Sequence, residues 1–210
     1  MDEYLSIRVE ATTLLPLVSG EIKSREVREG EHRIKPARIT GDGKVAVPIY
    51  GALRAYLEKT LRENGEQVCD TGLPGKEGQG CGKCVLCDLF GYLGKRGRAI
   101  IDDLKSEKPY REVVARATHL KIDREKGAVN ATLKMEEIVE GTKFVGYIRI
   151  IDPKPRDVEL ILTGLKAIEE FGLGGWLTRG RGRVKIGYAI EKKRWSDFVK
   201  KAREELKGIT

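Results

Sequence analysis

The chain has 210 residues, 40% apolar and 34% charged, with Lys and Arg exceeding Asp and Glu by 40 to 32, a net charge of +8. That is enough apolar material for one packed domain, and no apolar run approaches the roughly 18 residues of a membrane-spanning helix. The basic balance favours an acidic partner, nucleic acid first.

The first residues, MDEYLSIRVE, carry no signal-peptide pattern, so a cytoplasmic protein without disulfides is expected. In residues 4–11, Leu5, Ile7, Val9 and Ala11 alternate with Ser6, Arg8 and Glu10, which predicts a half-buried strand. The polar stretch from Ser19 to Lys44 shows no period and reads as a loop. Its basic residues Lys23, Arg25, Arg28, Arg33, Lys35 and Arg38 offer phosphate contacts or simply a solvated surface. PIYGALRAYLEKTLRE predicts a helix, with Pro48 in its first turn and Tyr50, Leu53, Leu57 and Leu61 on one stripe. Arg54 lies off that stripe, as a residue facing a ligand would. Further on, RAIIDDL, FVGYIRII and RVKIGYAI predict strands. RDVELILTGLKAIEEFG predicts a helix with Val158, Ile161, Leu165 and Ile168 on one face and Gly172 at its end. WSDFVKKAREEL predicts a last helix, with Trp195, Phe198, Val199, Ala202 and Leu206 opposite the basic Lys200, Lys201 and Arg203. This alternation suits one α+β domain over residues 1–210, a ferredoxin-like, split βαβ arrangement with decorations.

One decoration is the glycine-rich segment 64–97, which holds Cys69, Cys81, Cys84 and Cys87 at a spacing of C-x11-C-x2-C-x2-C. Two CxxC steps that share Cys84 aim sulfurs at one centre, which predicts a tetrahedral four-thiolate metal site. Zinc is the expected ion. An iron–sulfur cluster is the rival, but the fourth cysteine lies upstream and no proline follows Cys87, so the ferredoxin spacing is incomplete. A closed four-thiolate site is structural and leaves no coordination position open for chemistry.

Another decoration is the ribbon at 116–144, where HLKIDR and AVNATLKMEEIV flank a turn at Gly127. Lys121, Arg124 and Lys126 make its tip basic. The last is the loop at 172–187, GLGGWLTRGRGRVKIG, with glycines at 172, 174, 175, 180, 182 and 187. Such a backbone can bring N–H groups close to a ligand. On an extended chain Arg179, Arg181 and Arg183 point one way, an array suited to phosphates. Trp176 offers a core anchor first and a stacking face second. No Walker-type phosphate loop is present.

Three of these segments resemble the RAMP superfamily of CRISPR-effector proteins, and within it the repeating backbone subunits of Csm/Cmr-type complexes that coat a guide RNA. VPIYGALRAYLEKTLRE resembles the start of the family's first helix, and GLGGWLTRGRGRVKI its glycine-rich loop. KIDREKGAVNATLKMEEIVEGTKF resembles its thumb hairpin through the elements IDR-x-x-G-A and E-x-x-x-x-G-T-x-F. The loop is common to all branches, whereas the thumb string points to the backbone branch and away from the guide-processing nucleases.

The resemblance spans most of the chain and implies an RRM-like palm with a β-hairpin thumb. The implied partners are guide RNA, a complementary target RNA or DNA, further copies of the chain along the guide, and other effector subunits. Binding would be mostly to phosphates, so that any guide sequence is accepted. The RNA-binding candidates are Lys23, Arg25, Arg33, Lys35, Arg38, Arg54, Lys121, Arg124, Trp176, Arg179, Arg181 and Arg183.

There is one departure. RNA-cleaving backbone subunits of type III complexes carry an aspartate shortly before a proline in the first long loop. Here EHRIKPARIT places Arg33, Ile34 and Lys35 before Pro36. A non-cleaving scaffold is therefore expected. The alternative is an endoribonuclease using Glu31 and His32, the histidine assisting 2′-OH attack, with His119 as the other histidine of the chain. A generic zinc-ribbon RNA adaptor is a third reading, which the thumb string argues against.

Overall fold

The computed structural model describes residues 3–19, 27–29, 32–71 and 79–207. Lys23, Arg25 and Glu31 lie outside the described residues. His32, Arg33, Lys35 and Lys121 are described as backbone only. Among the described residues no helix is long and apolar enough to cross a membrane.

In chain order, β1 (Glu3–Thr13) is followed by three short strands, β2 (Val27–Glu29), β3 (His32–Lys35) and β4 (Lys44–Val47). Next come α1 (Tyr50–Glu63), α2 (Val85–Phe90), the small hairpin β5 (Gly91–Tyr92) and β6 (Lys95–Arg96), then β7 (Ala99–Ile101) and β8 (Leu104–Pro109). A single turn, α3 (Tyr110–Val113), leads into the ribbon β9 (Val114–Asp123) and β10 (Ala128–Ile138). The chain ends with β11 (Lys143–Ile151), α4 (Pro155–Phe171), a 3-10 turn at Leu177–Arg179, β12 (Val184–Arg194) and α5 (Ser196–Lys207).

The large sheet runs β12-β1-β11-β8-β4, antiparallel throughout, with β7 also paired to β11. β1 is an interior strand, paired with β11 and β12, and its Leu5, Ile7, Val9 and Ala11 all turn one way into the core, as their alternation requires. Over that core α1 and α4 pack together through Leu53, Leu57 and Leu61 and through Leu160, Ile161, Leu165 and Ile168. Each such side chain contributes about 1.5–3 kcal/mol on burial. α1 begins at Tyr50 with Ile49 as N-cap, so Pro48 precedes the helix rather than lying in its first turn.

The second sheet runs β2-β3-β10-β9. The stretch expected to be plain loop thus supplies β2 and β3, with β3 lying parallel to β10 at Ile34↔Lys134 and burying Ile34 against it. RAIIDDL is two strands, not one. β7 pairs with Ile148 to Ile150 and β8 with Phe144 and Val145, and between them the Asp102 N–H donates to Tyr147 O. α2 is no appendage to this core, since Leu86, Leu89 and Phe90 are buried in it. α5 is the reverse: none of its residues is buried, and Trp195, Phe198, Val199 and Leu206 are all exposed.

Candidate nucleic-acid interface and metal centre

The ribbon, the glycine-rich loop and the segment after β1 meet at one junction. Leu17 and Ile138 exchange backbone hydrogen bonds at 2.9 and 2.8 Å, the Gly175 N–H donates to Val18 O at 2.8 Å, and the Gly182 N–H donates to Pro16 O at 2.9 Å. The bare backbone is needed for this packing. At Gly182, φ is +75° and a Cβ would lie 2.1 Å from Leu173 O; at Gly174, φ is +87° and a Cβ would lie 2.5 Å from Val18 O. The N–H groups of Gly172, Gly175, Gly180 and Gly182 all donate inside the fold, so the expectation that they turn toward a ligand is corrected.

The three arginines do not form a row either. The backbone is left-handed at Trp176, Gly180 and Gly182, and the intervening turn breaks the extended geometry that a row requires. Arg179 folds back over the Trp176 indole, with Cζ 4.6 Å from the ring centroid, a cation–π contact worth about 0.5–1 kcal/mol when exposed. Arg181 turns inward, its Nε donating at 3.0 Å to Glu137, a nearly buried carboxylate on β10 that also meets His119 Nε2 at 2.8 Å. Arg183 is exposed. Trp176 is half-buried, with its ring centroid 4.5 Å from that of His119, so it is an edge residue of the junction rather than a core anchor. Its φ of +62° is one of two positive values at non-glycine residues among those described. A bulky side chain there costs about 1–3 kcal/mol of backbone strain.

The remaining candidates are scattered. Arg124 is exposed at the tip of the ribbon. Arg38 is paired with Asp103 at 3.0 Å. Arg54 is buried: its Nε donates to Glu58 at 2.8 Å, its Nη1 donates to Gly91 O at 2.6 Å, and its Nη2 has no partner. Burial alone would pull its pKa down, but the hydrogen bonds to Glu58 and Tyr50 outweigh that and leave it raised. Arg54 therefore ties α1 to the end of α2 and does not face a ligand, because the cysteine segment returns to cover it.

The four cysteine sulfurs lie within 4.8 Å of one another. Cys69 Sγ is 3.6 Å from Cys87 Sγ and 3.8 Å from Cys84 Sγ. Tetrahedral coordination with metal–sulfur bonds of about 2.3 Å places sulfurs about 3.8 Å apart, so the donor set fits one such ion. Backbone N–H groups already donate to these sulfurs: Cys81 N–H to Cys69 at 2.9 Å, and Lys83 and Cys84 N–H to Cys81 at 3.4 and 3.3 Å. The donors, Lys83 first, bring the exposed Cys81 thiol down to about 6, while burial pushes Cys69 up to about 12. A divalent cation bound there would let all four deprotonate together.

With this geometry in hand, comparison with known proteins places the chain. The family model of the RAMP superfamily matches residues 11–185. The chain belongs to the RAMP superfamily. A relative from Methanocaldococcus jannaschii, named CRISPR system Cms endoribonuclease Csm3, is 30% identical over 164 residues, which cover 69% of this chain and 63% of the relative. The chain thus spans less than two thirds of that relative's length. The RAMP match runs from the end of β1 through the cysteine segment, the ribbon and the glycine-rich loop to the start of β12, and stops before α5.

Sequence reasoning missed Glu136, Glu137 and the structural use of His119. Register was the available signal: Ala115 pairs with Glu137 and Ala117 with Met135. That sets Glu137 on the same ribbon face as the buried Met135, where a carboxylate needs partners.

Proposed function

We propose that the chain is a guide-RNA-binding backbone subunit of a CRISPR effector complex, a cytoplasmic ribonucleoprotein built of repeated copies along the guide. In this reading the large sheet is a ferredoxin-like, RRM-like palm and β9–β10 is the thumb. The strand order β12-β1-β11-β8 supports the palm, since it is the 4-1-3-2 order of a split βαβ unit. The four thiolates hold zinc as a structural ion. The carrying observation is the junction itself. Glu137 fixes the glycine-rich loop to the foot of the ribbon and leaves Arg179, Arg183 and Trp176 at the surface beside it.

The test is RNA binding across a salt series. Each phosphate contact to a single strand contributes about 0.7 to the slope of log K against log salt. Replacing Arg179 and Arg183 with alanine should weaken all guide sequences alike and lower the slope by about 1.4. Unchanged affinity and slope would reject the interface.

A second reading, target-cleaving endoribonuclease, is favoured by the printed name of the relative. Against it, the three residues before Pro36 are Arg33, Ile34 and Lys35, with no carboxylate among them, and Ile34 is buried. A labelled complementary RNA, incubated with the assembled subunit and magnesium or manganese, should stay intact. Products at regular intervals that vanish on changing Glu31 or His32 to alanine would establish the enzyme instead.

A further inference from the structure

The strain at Trp176 needs a reason. Position 176 has a left-handed backbone that glycine would adopt freely, in a loop where glycine stands at five other positions from 172 to 182. The indole there is not repaid by full burial, since the residue is only partly buried. One side is backed by His119, whose Nε2 is tethered to Glu137 at 2.8 Å, and Glu137 is itself held by Arg181. Over the indole lies the exposed Arg179 side chain. Leu133, directly across the ribbon from His119, stands 43% exposed and extends the same face as an apolar wall.

We propose that Trp176 is a stacking platform for one unpaired RNA nucleobase, which takes the place Arg179 now holds over the indole. His119 and Leu133 border the slot, and Glu137 with Arg181 fixes its floor. This rests on the RNA-binding reading above and adds to it a base contact that phosphate binding does not require. The exchange runs in the base's favour, because base–aromatic stacking is stronger than an exposed cation–π contact. The guanidinium it displaces is long enough to cover the outer face of the base or reach its phosphate, so no charge is stranded. Any of the four bases has a π-face, so the slot is sequence-tolerant. A base inside a duplex is already stacked on both faces and cannot enter, so the ligand is a single strand or an extruded nucleotide.

The chain has two tryptophans, Trp176 and Trp195. A Trp195→Phe background therefore reports on Trp176 alone. Titration with oligouridylate should quench its fluorescence, whereas an abasic oligomer of equal length should bind through its phosphates without quenching. Trp176→Gly suits the left-handed backbone, so it should fold at least as stably. It should bind oligouridylate about tenfold more weakly, or ~1.4 kcal/mol, with abasic affinity and salt slope unchanged. Trp176→Phe should recover most of the loss. Three results overturn the proposal: oligouridylate and the abasic oligomer binding equally in the Trp195→Phe background, oligouridylate binding without quenching, or Trp176→Gly losing affinity for both equally. Failure of both oligomers to bind defeats the RNA reading as a whole and the slot with it.

Discussion

Replacing Glu58 with alanine should be among the most damaging single changes in the chain. The Glu58 side chain is 4% exposed and accepts three hydrogen bonds: from Arg54 Nε at 2.8 Å, from the Thr71 hydroxyl at 2.7 Å and from the Thr71 N–H at 3.1 Å. Its loss leaves Arg54, 7% exposed and already with one unpartnered nitrogen, as an uncompensated buried cation. Breaking such a pair from one side costs about 3–5 kcal/mol. For a chain of this size that lowers the melting temperature by roughly 6–20 °C. Thr71 lies two residues beyond Cys69, so releasing it should also speed metal loss to a chelator. The assays are thermal melting by circular dichroism and elemental analysis, with about one zinc per chain expected in the wild type. A double variant, Arg54→Met with Glu58→Leu, removes both charges and should recover much of the loss. A Glu58→Ala protein melting within about 2 °C of wild type, with wild-type metal retention, would refute the reasoning.

Gly182→Ala, measured by the same melting assay, should cost at least about 1–3 kcal/mol, because the added Cβ meets Leu173 O at 2.1 Å in a backbone already at φ +75°; a neutral result would mean that the loop repacks freely. Asp88, held below its usual 3.8 chiefly by Lys154 and also by Arg98, stabilises the fold above that value and ceases to as the pH falls through its lower folded-state value. Asp88→Asn should therefore flatten the acid limb of stability against pH below about pH 4, and an unchanged limb would show that the pair contributes nothing.

The elements that were legible in the sequence are those whose pattern is local. β1, α1 and α4 each repeat apolar residues at their own period, and the β9–β10 ribbon announces its turn with Gly127. β2 and β3 are three and four residues long and exist only because β10 offers an edge, so no window of their own sequence contains the signal. Arg54 shows the limit of a helical wheel, which tells which face of α1 is apolar but not that α2 returns to cover the rest. The cysteine centre was legible because four like ligands at fixed spacing converge with little help from the fold. The glycine-rich loop was half legible. Its need for bare backbone was plain, but the groups it packs against, Pro16 and Val18, lie in a segment with no period to read.

The string E-x-x-x-x-G-T-x-F has a physical content that motif matching does not supply. Glu136, its first residue, accepts the Ala37 N–H at 2.8 Å and the Tyr110 hydroxyl. Gly141 is left-handed, and its N–H donates to Thr13 O at 2.7 Å. The Thr142 N–H donates to the Thr13 hydroxyl at 2.9 Å, which donates in turn to Val139 O at 2.7 Å, and Phe144 is buried in the core. These contacts join the foot of the ribbon to the large sheet, to the segment before β4 and, through Tyr110, to α3. Neighbouring residues on a strand face opposite ways, so Glu136 and Glu137 brace the ribbon from both sides, one toward Ala37 and the other toward Arg181. Tilting the ribbon either way strains a charge-assisted hydrogen bond, roughly twice as strong as a neutral one. Ribbon, loop and first segment are thereby tied to one another, and a nucleotide bound at Trp176 as proposed would be held at a set place beside the ribbon.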